Sequence, residues 1–239
     1  MSLRRTLNRP DWRGRLWQTI YAGGYACLKG AVALTFSPFF RVRMVGPPVR
    51  LPATGGVLIC PNHTSYLDPA FVQIPIKRRV TYVMTNDFYK SPWGRWFFKL
   101  VGAIPVGSPR LARKGLRRAE ALLRMGHAVV VFPEGRLSRD DSLSPGQRGI
   151  ARLALRAGVP VYPLAVCGAR RALAPGRLRP TRTHVRMRFA RPLSFEGPRT
   201  REGEQAFADD VMDRIARTRT WIYKRHPARI GPRWYPERP

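Results

Sequence analysis

The segment Cys60-Pro61-Asn62-His63-Thr64-Ser65-Tyr66-Leu67-Asp68 follows a short apolar run and brings an imidazole and a carboxylate close together in the chain. An imidazole exchanges a proton near neutral pH, and a carboxylate bonded to its other nitrogen fixes the tautomer and stabilises the imidazolium as it forms. That pairing is the chemistry of a general base. Four residues separate His63 from Asp68, a gap that misses the i+3 and i+4 neighbours of a regular helix. In a turn, the Asp68 side chain reaches back to the ring. A histidine and an aspartate also fall this close by chance, so the neighbouring segments decide whether the pair is a site.

Two further segments bring cations and glycine together. Val129-Val130-Val131-Phe132 runs into Pro133-Glu134-Gly135-Arg136, where Gly135 permits close backbone approach and the planar fork of Arg136 suits a phosphate. Alone, this stretch also reads as a solvated loop with a salt bridge. In Gly102-Ala103-Ile104-Pro105-Val106-Gly107-Ser108-Pro109-Arg110, the last residue falls in the first turn of a helix whose N-terminus favours anions. Arg110 also belongs to a basic stripe with Arg113, Lys114, Arg117 and Arg118.

Residues this far apart in sequence need a scaffold that delivers several strand ends to one edge. Short β-rich runs at 57–60, 80–84, 128–132, 159–166 and 185–189 alternate with helical patterns, which implies an α/β fold with a mostly parallel central sheet flanked by helices. Such folds place their sites at strand ends. Ser91-Pro92, Ser108-Pro109 and Ser144-Pro145 each set an N-cap residue before a proline at the first helical position, and Gly126 and Gly158 stand where helices end. Apolar stripes at Leu111, Ala119, Leu122 and Leu123, and at Ile150, Leu153, Ala154 and Ala157, face two helices toward the sheet. A last helix is expected over 200–222.

Composition bounds the whole. With 239 residues and 44% hydrophobic content, the chain is one globular domain with appendages. Its 44 Lys plus Arg against 14 Asp plus Glu give a formal charge of +30, a surface that seeks phosphate on lipid, nucleic acid or an acidic carrier protein. Coding bias explains the preference for Arg over Lys but not the shortage of acids. Cys27, Cys60 and Cys167 show no C-x-x-C spacing, so they are expected to be reduced and structural, with no metal bound.

The first fifteen residues carry Arg4, Arg5, Arg9, Arg13 and Arg15, and residues 16–40 hold a single charge, Lys29. Spanning a bilayer takes about 20 predominantly apolar residues, yet Gln18, Thr19, Lys29 and Thr35 leave this run only moderately apolar. An interfacial or re-entrant helix is the expectation, with Trp12, Trp17, Tyr21 and Tyr25 at headgroup level. A helix buried against the domain is the alternative. No cleavable signal is apparent. The expected layout is a basic, membrane-associating helical segment over 1–40, a catalytic domain over 41–225 and an irregular basic tail over 226–239.

Taken in order, the segments resemble the glycerolipid acyltransferase family, of which 1-acylglycerol-3-phosphate acyltransferases are the best known members. Asn62, His63 and Asp68 match its Asn-His-x4-Asp block, Gly102 to Arg110 its Gly-x7-Arg block, Phe132 to Gly135 its Phe-Pro-Glu-Gly block, and Val159-Pro160-Val161-Tyr162-Pro163 its Val-Pro-Ile/Val-x-Pro block. The resemblance covers roughly residues 41–195. It implies that His63, held by Asp68, takes the proton from an acceptor hydroxyl attacking an acyl thioester, with no covalent acyl-enzyme required. The chain has no Gly-x-Ser-x-Gly elbow.

By the same resemblance, Arg110, Glu134, Gly135 and Arg136 hold the acceptor phosphate, with Arg139 in reserve. The acceptor is 1-acylglycerol 3-phosphate, the product phosphatidic acid and the donor acyl-CoA or acyl-carrier protein, with no further cofactor. Anionic membrane lipid is the expected partner, and the cytoplasmic face of the membrane, peripheral or monotopic, the expected location. The commonest family form continues Glu-Gly-Thr-Arg, whereas here Arg136 follows Gly135 directly. That departure bears on the acceptor headgroup: another lysophospholipid, an ornithine-type lipid or glycerol 3-phosphate is the alternative. A nucleic-acid-binding protein is the rival from charge alone; it leaves the apolar N-terminal segment without a use, and no nucleic-acid motif accompanies it.

Overall fold

Runs of branched and small apolar residues form the central strands. The computed structural model describes residues 23, 24, 27, 30, 31, 34, 35, 38–85, 103–106, 109–176 and 179–227. The arginines from Arg4 to Arg15, most of the 16–40 run, Ser91-Pro92, Gly102, Ser108 and the tail from 228 lie outside them. In chain order the strands are β1 (Arg43–Met44), β2 (Val57–Pro61), β3 (Val80–Thr85), β4 (Ile104–Val106), β5 (Ala128–Val131), β6 (Val161–Cys167) and β7 (Arg186–Phe189). The helices are α1 (Asp68–Gln73), α2 (Pro109–Arg124), α3 (Gly149–Ala157), α4 (Ala169–Ala172) and α5 (Arg201–Arg225).

Among the described residues the strands form one sheet in the order β1-β7-β6-β2-β5-β3-β4. All neighbouring pairs are parallel except β6 and β7. β2 and β6 are buried along their whole length, as expected for central strands of a sheet covered on both faces. Alternate side chains feed opposite layers. Val57 and Ile59 join Phe71, Val72, Val130 and Phe132 on the α1 face, while Leu58 and Cys60 join Ala119, Leu123, Ile150, Leu153, Val211 and Ile215 on the face covered by α2, α3 and α5.

The expected α/β class, mostly parallel sheet and flanking helices are what the chain adopts. Gly126 and Gly158 end α2 and α3 in the left-handed region, at φ +87° and +65°. The C-terminal helix starts one residue later than expected and continues to Arg225, with the Thr200 hydroxyl capping Gly203 N.

One strand was not expected, and one expected helix start fails. Ile104–Val106 is a strand that pairs with β3, too short to stand out beside its prolines and glycines. Ser144-Pro145 does not start a helix: α3 begins at Gly149, because the Ser144 N–H and hydroxyl are already bonded to Glu134 and Arg136.

The register sets up the site. Ile59 of β2 lies opposite Val130 of β5, so the residues that follow each strand, His63 on one and Phe132 to Gly135 on the other, leave the sheet side by side. Both lie at the carboxyl edge of a parallel sheet, where α/β proteins bind ligands.

Candidate active site

The end of β2 is fastened before the histidine is reached. Asn62 is fully buried, and its amide both accepts from Val166 N at 2.7 Å and donates to Val166 O at 3.0 Å. A two-sided amide bond of this kind ties the strand end to β6 and fixes where the next residue starts. His63 then turns its ring back over the chain. Its Nδ1 lies 2.9 Å from Asp68 Oδ2, which also accepts from Thr64 N at 2.7 Å and Ser65 N at 2.8 Å.

Asp68 is the first residue of α1, where a helix N-terminus favours a carboxylate. The imidazole stacks on Phe132, with ring centroids 3.9 Å apart and planes 21° from parallel. With Nδ1 engaged by Asp68, Nε2 is the nitrogen available to a substrate hydroxyl.

The backbone of His63 is gripped on both sides by the loop after β5. Its N–H donates to Glu134 Oε1 at 2.9 Å, and its carbonyl accepts from Ser138 N at 2.8 Å. The other oxygen of Glu134 accepts from Ser144 N at 3.0 Å. Glu134 is buried, and burial pushes its carboxyl above the usual range, opposed by the two backbone N–H donors and by Arg219 nearby. Gly135 adopts φ +66°, a conformation that disfavours any side chain with a Cβ.

A cavity of about 370 Å³ opens beside the ring. His63, Gly135 and Arg136 line it together with apolar side chains that include Met84, Val106, Leu116 and Ile150. Arg136 is exposed and donates to Ser144 Oγ from Nε at 3.2 Å and Nη2 at 3.1 Å.

Of the residues singled out in the sequence, His63, Asp68, Gly135 and Arg136 come together here. Glu134 lies beneath them, with both oxygens spent on backbone rather than turned to the cavity. Arg110 is exposed on the first turn of α2 and is not among the described lining residues, although Ala112 and Leu116 of the same helix are. Among the described residues no group of His, Cys, Asp and Glu could hold a metal ion.

Sequence reasoning missed Asn62 as a clamp, Phe132 as the ring's platform and Ser138 as the second hand on the His63 backbone. Asn62 and Phe132 belong to the matched blocks, which marked the two positions without giving their roles.

An imidazole held at one nitrogen by a buried carboxylate, at the mouth of an apolar cavity with a cation on its rim, can deprotonate a hydroxyl beside an acyl chain. The family model described as Acyltransferase matches residues 43–167, over half of the chain, and the chain belongs to that family. It is 26% identical over 147 residues to a chloroplastic 1-acyl-sn-glycerol-3-phosphate acyltransferase of Brassica napus, covering 60% of this chain and 42% of that protein.

It is likewise 26% identical over 119 residues to the 1-acyl-sn-glycerol-3-phosphate acyltransferase of Bacillus subtilis, covering 49% of this chain and 59% of that one. The chain thus spans less than two thirds of the length of these curated relatives. Its fold is that of the 1-acyl-sn-glycerophosphate acyltransferase PlsC from Thermotoga maritima, with a TM-score of 0.65 at 21% identity over 96% of this chain and 86% of that one.

Proposed function

We propose that this chain transfers a fatty acyl group from a thioester to the free hydroxyl of 1-acylglycerol 3-phosphate, giving phosphatidic acid. The observation that carries the reading is the imidazole of His63, held by Asp68 at 2.9 Å, at the mouth of an apolar cavity. The acceptor oxygen attacks the thioester carbonyl as His63 Nε2 takes its proton. The carbon–sulfur bond breaks, and the imidazolium returns the proton to the departing thiolate. Asp68 stabilises the imidazolium between those steps.

The apolar wall accepts the acyl chain, and Arg136 on the cavity lining, with Arg110 on the first turn of α2, supplies positive charge for the acceptor phosphate. Glu134 and Gly135 serve that binding by shaping the loop that carries Arg136. The donor is acyl-CoA or acyl-carrier protein, both anionic and suited to a +30 chain, and no other cofactor is needed. The relatives' names support the acceptor.

Residues 1–40 dock the 41–225 domain on anionic lipid at the cytoplasmic face, peripherally or monotopically, and 226–239 form a basic tail. The exposed Leu34 and Phe39 favour an apolar contact there. Among the described residues no helix is long and apolar enough to cross a membrane.

A second reading, transfer to another lysophospholipid, rests on Arg136 following Gly135 directly. Assays with both donors against 1-acylglycerol 3-phosphate, other lysolipids and glycerol 3-phosphate in vesicles, with products read by mass, separate the two. Phosphatidic acid as the main product supports the first. A preference for a zwitterionic lysolipid overturns it.

A further inference from the structure

The loop that grips His63 is itself pinned from behind, by a helix that lies beyond the residues matched by the family model. Arg219 of α5 is fully buried. Its Nη2 donates to the Asp141 carbonyl and lies 2.9 Å from Asp141 Oδ2. The Tyr223 hydroxyl, one helical turn on, donates to the same Oδ2 at 2.9 Å. Asp141 sits between Ser138, which donates to the His63 carbonyl, and Ser144, which donates to Glu134. Its φ of +70° is a conformation that non-glycine residues rarely adopt. Arg170 adds a bond to the carbonyl of Arg139 in the same loop.

Buried ion pairs add little net stability compared with apolar packing of the same volume. A backbone held in a strained conformation persists only where its surroundings over-determine it. Two hydrogen bonds and an ion pair from α5 do so here, at the midpoint of the loop whose two arms hold the histidine backbone and its glutamate brace.

We infer that Arg219 and Tyr223 are positioning residues for the acyl-transfer reaction, acting through Asp141 and the 134–144 loop to set the orientation of His63. The inference rests on the functional reading above for the reaction and on geometry alone for the positioning. Relaxing Asp141 shifts Ser138 and Ser144 together, which loosens both backbone bonds to the His63 segment and lengthens the bond from His63 Nδ1 to Asp68. The cavity walls belong mainly to β3, β4, β5, α2 and α3, so binding of the acyl donor is left largely intact.

The test uses the full chain with Tyr223→Phe, which keeps ring volume and removes one hydroxyl, Arg219→Met, which removes the charge, and Asp141→Asn, which tolerates the left-handed backbone. Two quantities are read in samples shown folded by circular dichroism. The first is kcat against KM for donor and acceptor. The second is the downfield proton resonance of His63 Nδ1 hydrogen-bonded to Asp68.

The expectation is a kcat lowered about threefold in Tyr223→Phe and tenfold or more in Arg219→Met, with KM for the donor within about twofold. The His63 resonance should shift or broaden in the same order, and Asp141→Asn should fall between the two. Folded Tyr223→Phe and Arg219→Met with wild-type kcat, an unmoved resonance and only a lowered Tm would overturn the inference. The resonance needs no substrate, so a wild-type chain that transferred no acyl group would overturn the functional reading alone.

Discussion

His63 and Asp68 meet through a single oxygen, with Asp68 Oδ2 2.9 Å from His63 Nδ1 while the Thr64 and Ser65 N–H groups donate to that same oxygen at 2.7 and 2.8 Å. The two backbone donors fix the carboxylate whether or not the ring is charged, so the ring is oriented by a group that cannot rotate away. Asp68→Asn keeps the shape but removes the charge that favours imidazolium. Loss of the orienting carboxylate in the serine-protease triad costs on the order of 10⁴ in kcat. Here a drop in kcat of at least 10² is expected, with KM for both substrates changed far less, as read in steady-state transfer assays.

Glu134 and Glu204 should give opposite pH signatures. Burial raises the folded-state pKa of Glu134 above its unfolded value, so its ionisation works against folding, and stability falls as pH rises from about 4.3 toward the elevated value. The bond to Arg152 lowers the pKa of Glu204. Its contribution is therefore present above about 4.3 and lost as pH falls through the lower folded value. Thermal melts at pH 4 and pH 7 should show the deficit of Glu134→Gln shrinking with rising pH and that of Glu204→Gln growing. Parallel slopes for the two variants would contradict the assigned directions.

Much of the core was legible because central parallel strands are continuous apolar runs, and β2, β5 and β6 announce themselves as such. The His63–Asp68 pair was legible as well, since both partners are side chains in one short segment. Glu134 was not. Its partners are the backbone N–H groups of His63, 71 residues away, and Ser144, 10 away, and residue types do not reveal which N–H a fold leaves unpaired.

Asn62, bonded to Val166 across 104 residues, escaped for the same reason. Ser144-Pro145 misled because a serine before proline reads as a helix cap, and only the tertiary demand of Glu134 and Arg136 on Ser144 overrides it. Arg219 was one arginine among many on a helix of mixed charge.

Arg136 and Arg110 should separate by distance from the cavity. Arg136 lines it, so Arg136→Ala should raise KM for the phosphate-bearing acceptor about tenfold, the low end for a charge-assisted bond because the side chain is exposed. Arg110→Ala should raise it less. KM for the thioester should change little in either variant. Equal increases for both substrates would instead assign these cations to the donor's phosphates.

Removing residues 1–40 should release the protein from anionic vesicles and cut activity on membrane-borne acceptor, while sparing acceptor dispersed as monomers. Each basic residue near an anionic surface contributes about 1 kcal/mol, and the attraction fades within roughly 8 Å at physiological salt. Replacing only Arg4, Arg5, Arg9, Arg13 and Arg15 should therefore weaken vesicle binding mainly at low salt. A truncated chain that sediments with vesicles and acylates their lipid at full rate would place the anchor elsewhere, in the basic stretch from Arg170 to Arg191.

His63→Ala removes the imidazole and leaves its brace, since Glu134 and Ser138 bond to the backbone of residue 63 and not to its side chain. The variant should thus fold with the loop in place and lack only the group that takes the proton. Acyl transfer from the thioester to 1-acylglycerol 3-phosphate, followed as phosphatidic acid by mass, should fall at least a thousandfold below wild type, an effect in the range that general-base catalysis contributes. A folded His63→Ala that keeps a tenth or more of the wild-type rate would show that the proton leaves by another route and that His63 is not the base.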